Sequence, residues 1–189
     1  MEPPLPPRWT FARVLALTQK PAFPPSAYEQ QLLASYQRGE RTLDELVDLL
    51  ETSTYQVLYH SRATPLPSLL QLRNILDHSR DYNATHQITG LLLGSEGHFV
   101  QLLEGTEEEV RTLFAKIQQD RRHQYVRLVS QGAARQRYFA PWRMGFAHVA
   151  ATELTRFVAA VEARKPVTDL CFKDPYVQAL WQAVSQGES

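Results

Sequence analysis

The feature that most limits what this chain can fold into is the alternation of two periodicities over residues 55–149. Residues 55–61 read as a strand, and a period of two puts Tyr55, Val57, Tyr59 and Ser61 on one face. Pro65 and Pro67 stop that run. Ser68 then caps a helix whose inner side carries Leu69, Leu72, Ile75, Leu76 and Ser79, and Asp81-Tyr82-Asn83 ends it. Residues 87–93 and 98–103 read as two further strands, joined by Gly94-Ser95-Glu96-Gly97, the composition of a hairpin turn. Thr106 followed by Glu107, Glu108 and Glu109 opens a second helix, with carboxylates against its positive end. Val110, Leu113, Phe114 and Ile117 then recur at helical spacing. Residues 125–129 and 145–149 are the last two strands. The order β-α-β-β-α-β-β is that of an α+β ferredoxin-like sandwich with both helices on one face of the sheet.

The flanks read differently. Seven of the twelve prolines fall within residues 1–25, which removes backbone donors and makes regular structure unexpected there; Trp9 and Phe11 are the anchors if that tail docks. Residues 26–53 carry two capping boxes, Ser26 with Glu29 and Thr42 with Glu45, and Gly39 breaks the chain between them. A helical hairpin follows, with Leu32, Leu33 and Tyr36 on one face of its first helix and Leu43, Leu46, Val47 and Leu50 on one face of its second. A DNA-reading helix-turn-helix is disfavoured by charge: Arg38 and Arg41 face Glu29, Glu40, Asp44, Glu45, Asp48 and Glu51. The hairpin is expected to pack on the main domain or on a second subunit. Residues 150–189 form a cap of two helices, one with Leu154, Phe157, Val158 and Val161 along a stripe, the other starting at Asp174-Pro175 with Val177, Leu180, Trp181 and Val184. Their partner is the sheet face left bare by the two core helices.

The charge balance narrows the partners. Lys+Arg and Asp+Glu are both 20, so no electrostatic footprint for nucleic acid or an anionic membrane is present. No apolar run approaches the ~20 residues of a membrane span. Cys171 is the single cysteine, which excludes a disulfide framework and a cysteine zinc site, points to a cytoplasmic, reducing compartment, and reads as inert packing between the cap helices.

Individually, the polar residues of the core have ordinary readings. Gln101 sits in an apolar strand, either on the solvent face bonded to water or buried beside Phe99 and Leu103, where its carboxamide needs partners at both ends. Tyr59 supplies a hydroxyl to it if their strands are adjacent, although a lone strand tyrosine is usually packing. Asn83 reads as a helix cap. Asp120-Arg121-Arg122-His123 is either a solvated turn or a contact to a ligand carbonyl or phosphate. The six histidines lack metal spacing, no nucleotide-binding glycine motif occurs, and Glu104 reads as a surface acid without a partner.

Taken together, five strings match a known family. Tyr59-His60-Ser61-Arg62-Ala63, Asn83 ahead of Gln87-Ile88-Thr89-Gly90, Phe99-Val100-Gln101-Leu102-Leu103-Glu104-Gly105, Asp120-Arg121-Arg122-His123, and Phe139-Ala140-Pro141-Trp142-Arg143-Met144 stand in the order and spacing of the BLUF family, the blue-light sensors using flavin. Residues 54–149 resemble that sensor domain. The resemblance implies a flavin, FAD by preference, with FMN and riboflavin as the other forms, held between the two core helices. It implies Tyr59 as electron and proton donor, Gln101 as the switch bonded to the Tyr59 hydroxyl, and Asn83 on the carbonyl and imide edge of the ring. Arg122 and His123 are placed near its polar end or phosphate, and Trp142 and Met144 compete for the position beside Gln101. It also implies a photoreceptor that is not an enzyme and has no output enzyme in the chain, acting through an unidentified downstream protein or a change of homo-oligomer. The alternatives are a ferredoxin-like binding or regulatory module without photochemistry, which a solvent-facing Gln101 would support, and a small flavin enzyme, for which no acid, base or cleft is legible.

Overall fold

A computed structural model describes residues 24–163 and 170–185. Trp9, Phe11 and all but the last two residues of the proline-rich tail lie outside them, as do parts of the 150–189 cap. The elements in chain order are α1 (Ala27–Gln37), α2 (Leu43–Glu51), β1 (Thr54–Ala63), α3 (Leu69–Thr85), β2 (Thr89–Ser95), β3 (His98–Gly105), α4 (Glu107–Gln119), β4 (His123–Ala134), β5 (Gly145–His148), α5 (Ala151–Glu162) and α6 (Pro175–Ser185).

The strands form one five-stranded sheet in the order β4-β1-β3-β2-β5. The β1–β3, β1–β4 and β2–β3 pairs are antiparallel, which is the ferredoxin-like arrangement, and β5 extends it by pairing parallel to β2. β2 and β3 are joined by a tight turn in which both Glu96 (φ 48°) and Gly97 (φ 80°) are left-handed, the geometry that matches the twist of the flanking strands.

Alternation along the strands sends two sets of side chains to opposite faces. Tyr55, Val57, Tyr59, Leu92, Phe99 and Leu103 meet Leu76 of α3 and Val110 and Phe114 of α4 on one face. Leu58, Leu91, Leu93, Val100 and Leu102 meet Leu154 and Phe157 of α5 and Val177, Leu180 and Trp181 of α6 on the other. The cap therefore covers the sheet face expected for it, and each of its buried large side chains contributes roughly 1.5–3 kcal/mol of hydrophobic stabilisation. Asp174 caps α6 through the amides of Tyr176 and Val177, with Pro175 in the first helical position.

The α1–α2 hairpin packs on the main domain. Leu32, Leu46, Val47 and Leu50 close around Ala133 of β4. Both capping boxes are formed, and the Glu29 carboxylate that completes the first also accepts from the Ala133 amide at 2.8 Å. Gly132 makes this approach possible: a Cβ there would stand 2.6 Å from Glu29 Oε2.

Four local expectations are corrected. Leu69 is 87 % exposed, so the inward stripe of α3 starts at Leu72. The helix runs past Asn83 to Thr85 because His86 closes it, donating its amide to the Tyr82 carbonyl. β4 runs from His123 to Ala134 rather than 125–129, because pairing with β1 carries it through the polar Ser130-Gln131-Gly132. Cys171 is an exposed thiol, not core packing.

Candidate functional site

A cleft of about 560 Å³ opens between α3 and α4 over the face that carries Tyr59. Its walls are apolar, with Leu72 and Ile75 from α3, Leu113 and Ile117 from α4, and Leu92 and Phe99 from the sheet. Its floor is polar. Tyr59 and Gln101 are direct partners across the β1–β3 ladder, which places the two side chains together. The Tyr59 hydroxyl donates to Gln101 Oε1, and Gln101 Nε2 donates to Met144 Sδ at 3.1 Å. Tyr59 is 1 % exposed and Gln101 8 %, so both ends of the carboxamide are satisfied in a dry setting, as burial demands. The solvent-facing Gln101 that a module without photochemistry calls for is not what the fold provides. Burial pushes the Tyr59 phenol well above its ordinary pKa, and the Asp120 carboxylate pushes it the same way. The group therefore stays a neutral donor.

The other expected residues are spread around this floor. Asn83, buried in the last turn of α3, lines the cleft and donates from Nδ2 to the Arg143 carbonyl at 2.5 Å; it ties the helix to the β4–β5 loop instead of capping its own helix. His123 opens β4, and its Nδ1 lies 3.2 Å from Ser61 Oγ. Burial lowers its pKa against the opposing pull of Asp120, leaving the ring neutral at pH 7. Arg122 lines the mouth but spends its guanidinium on Asp120, whose carboxyl it holds down at about 2. Lys116 also stands at the mouth, donating to the Tyr82 hydroxyl at 3.0 Å over the Tyr82 ring. Trp142 is outside: it is 40 % exposed and stacks on Phe139, with Tyr176 of α6 beyond. Of the two residues competing for Gln101, Met144 is the one in contact.

The sequence reading missed Glu104. It is 0 % exposed, with no solvated side. It faces the α5–α6 side of the sheet and accepts from Gln56 Nε2, Thr89 Oγ1 and the amides of Tyr138 and Phe139 at 2.9–3.1 Å. The expectation of a surface acid is wrong because the β4–β5 loop folds back over it. No local signal marked it: its sheet partners Gln56 and Thr89 stand opposite it only once β1, β2 and β3 pair. Arg80, whose Nε donates to the Met144 carbonyl at 3.2 Å, was likewise unassigned.

Among the described residues no group of three His, Cys, Asp or Glu side chains is placed to hold a metal ion, and no helix is long and apolar enough to cross a membrane. The cleft suits a flat, largely apolar ring that carries hydrogen-bonding edges. Its walls are aliphatic and aromatic, two carboxamides lie at its base, and cations stand at its mouth.

Fold and cleft together define a class, a ferredoxin-like sandwich that receives a planar ligand between its two core helices. A family model described as "Sensors of blue-light using FAD" matches residues 54–145. The ground-state structure of BlsA is similar to this chain at 32 % identity over 56 % of this chain and 72 % of BlsA, with a TM-score of 0.50. The dark-state structure of BlrB, a BLUF protein, gives 26 % identity over 70 % of this chain and 96 % of BlrB, with a TM-score of 0.52. Subunit beta of the photoactivated adenylate cyclase of Euglena gracilis is 37 % identical over 122 residues; the match covers 56 % of this chain but 14 % of that protein. The chain belongs to the BLUF family.

Proposed function

We propose that this protein is a blue-light photoreceptor that holds FAD in the α3–α4 cleft and signals through the hydrogen bonds of Gln101. The observation that carries the reading is the buried chain from the Tyr59 hydroxyl through Gln101 to Met144 at the cleft floor. When bound, the flavin supplies a ring that blue light turns into a strong oxidant. Tyr59 is the electron and proton donor, and its hydroxyl already points its proton at Gln101 Oε1. Gln101 relays that proton and then rotates or changes tautomer. Either change turns a donor toward the Tyr59 oxygen, and rotation leaves the Met144 sulfur, which can only accept, without its N–H donor. Asn83 orients the polar edge of the ring from the end of α3. His123, Arg122 and Lys116 line the mouth of the cleft, and the charged Arg122 and Lys116 favour FAD or FMN over riboflavin.

The β4–β5 loop carries the change outward, because Met144 touches Gln101 while Phe139, five residues earlier, is in the core under α5 and α6. The output in this reading is an altered protein–protein contact or self-assembly, not a reaction catalysed by the chain. The test is cofactor uptake. Purified protein is expected to carry a flavin spectrum, or to acquire one when titrated with FAD, FMN or riboflavin, with the phosphorylated forms bound more tightly. A colourless protein that takes up none of the three contradicts the proposal.

A further inference from the structure

Glu104 holds the loop of the switch from the far side of the sheet. Each of its carboxylate oxygens takes one donor from the sheet and one from the loop. Oε1 accepts from Gln56 Nε2 at 3.0 Å and from the Tyr138 amide at 2.9 Å. Oε2 accepts from Thr89 Oγ1 at 3.1 Å and from the Phe139 amide at 3.0 Å. Glu104 is three residues beyond Gln101 on the same strand, on the opposite face. The loop it grips leads straight to the switch. The Phe139 carbonyl accepts from the Trp142 amide at 2.8 Å, closing a turn, and the Trp142 carbonyl accepts from the Gly90 amide at 3.0 Å. Met144 follows two residues later, its sulfur on Gln101.

We infer that Glu104 is a positioning residue of the photoswitch: it fixes the β4–β5 loop to the strand that carries Gln101, so that movement of one is passed to the other. The inference rests on the photoreceptor reading above. A carboxylate is the group this job needs. Four donors converge on it, and it is the one side chain of this length with acceptors only. A carboxamide offers a single oxygen, so either orientation turns an N–H group toward one sheet donor and one loop amide. The loop then loosens on one side, Met144 no longer walls in the Gln101 carboxamide, and the carboxamide turns back more easily.

The experiment compares the flavin-loaded wild type with Glu104→Gln and Gln56→Leu, following thermal recovery of the illuminated absorption spectrum in darkness. Gln56→Leu removes one sheet donor from the same carboxylate and leaves both loop amides in place, so it controls for a merely structural effect. Glu104→Gln is expected to recover at least about threefold faster than wild type, while Gln56→Leu stays within about 1.5-fold. Wild-type recovery in Glu104→Gln, or equal acceleration in both variants, overturns the assignment. If the wild type shows no light response at all, the photoreceptor reading fails and this one with it. If Glu104→Gln does not fold, amide exchange of unmodified holoprotein decides. The Tyr138 and Phe139 amides are expected to exchange at least about threefold faster under blue light than in darkness, and equal rates overturn the inference.

Discussion

Tyr59 and Gln101 meet because two rules agree at those positions. Period-two alternation puts both side chains on the α3–α4 face, and the β1–β3 register sets them opposite each other. Each change that breaks the chain between them has a distinct expected result. Tyr59→Phe removes the donor and leaves the ring that packs at 5.2 Å on Phe114, so the cleft survives. Gln101→Leu keeps the volume and removes both hydrogen bonds. Both variants are expected to bind flavin and to lose the light-induced spectral shift, measured as a light-minus-dark difference spectrum; a normal shift in either contradicts the roles proposed for them. Strand order made this meeting legible, while the roles given to the two residues came from the family resemblance, since the apolar neighbours of Gln101 left its face open. Glu104 was not legible, although it is four hydrogen bonds deep. Its burial comes from the loop around Tyr138 and Phe139, which is close to it only in the folded chain, and a carboxylate after an apolar run ordinarily marks the end of a strand at the surface. The choice of Met144 over Trp142 beside Gln101 was equally out of reach. It depends on Trp142 finding Phe139 to stack on and Tyr176 to pack against.

Among the elements, those with strong period and proper caps were placed closely by sequence, and the misjudged boundaries sit where tertiary pairing overrides local pattern. β4 is the clearest case. Its polar second half gives no strand signal, yet β1 pairs with it as far as Ala134, with bulges absorbing the irregular register. That extension matters because it is where the α1–α2 hairpin docks. Glu29 accepts there from the Ser26 and Ala133 amides, while Ser26 Oγ donates to the Ala133 carbonyl. Glu29→Ala leaves the buried Ala133 amide without this acceptor and weakens the helix start. It is expected to cost about 2 kcal/mol, read as a lower urea midpoint. Glu40→Ala, which removes an exposed ion pair with Arg38, is expected to leave that midpoint unchanged. Equal effects of the two would contradict the docking role given to Glu29.

On the scale of the whole molecule, one sheet separates two kinds of work. The α3–α4 face holds the cleft and the Tyr59–Gln101–Met144 chain, and the α5–α6 face holds an apolar cap around Phe157 and Trp181. The β4–β5 loop is the covalent route between them. It has Phe139 in the cap, Met144 on the switch, and Glu104 and Asn83 fastening it to a strand and a helix. In the proposed scheme a change at Gln101 would pass along this loop toward the surface carrying Trp142 and Tyr176. The measurement that bears most directly on this account is the visible absorption spectrum of the purified protein, taken in darkness, under blue light, and again after a dark interval. The account predicts a bound-flavin spectrum that moves slightly to the red on illumination and returns in the dark. A bound flavin whose spectrum is the same before and during illumination would contradict it.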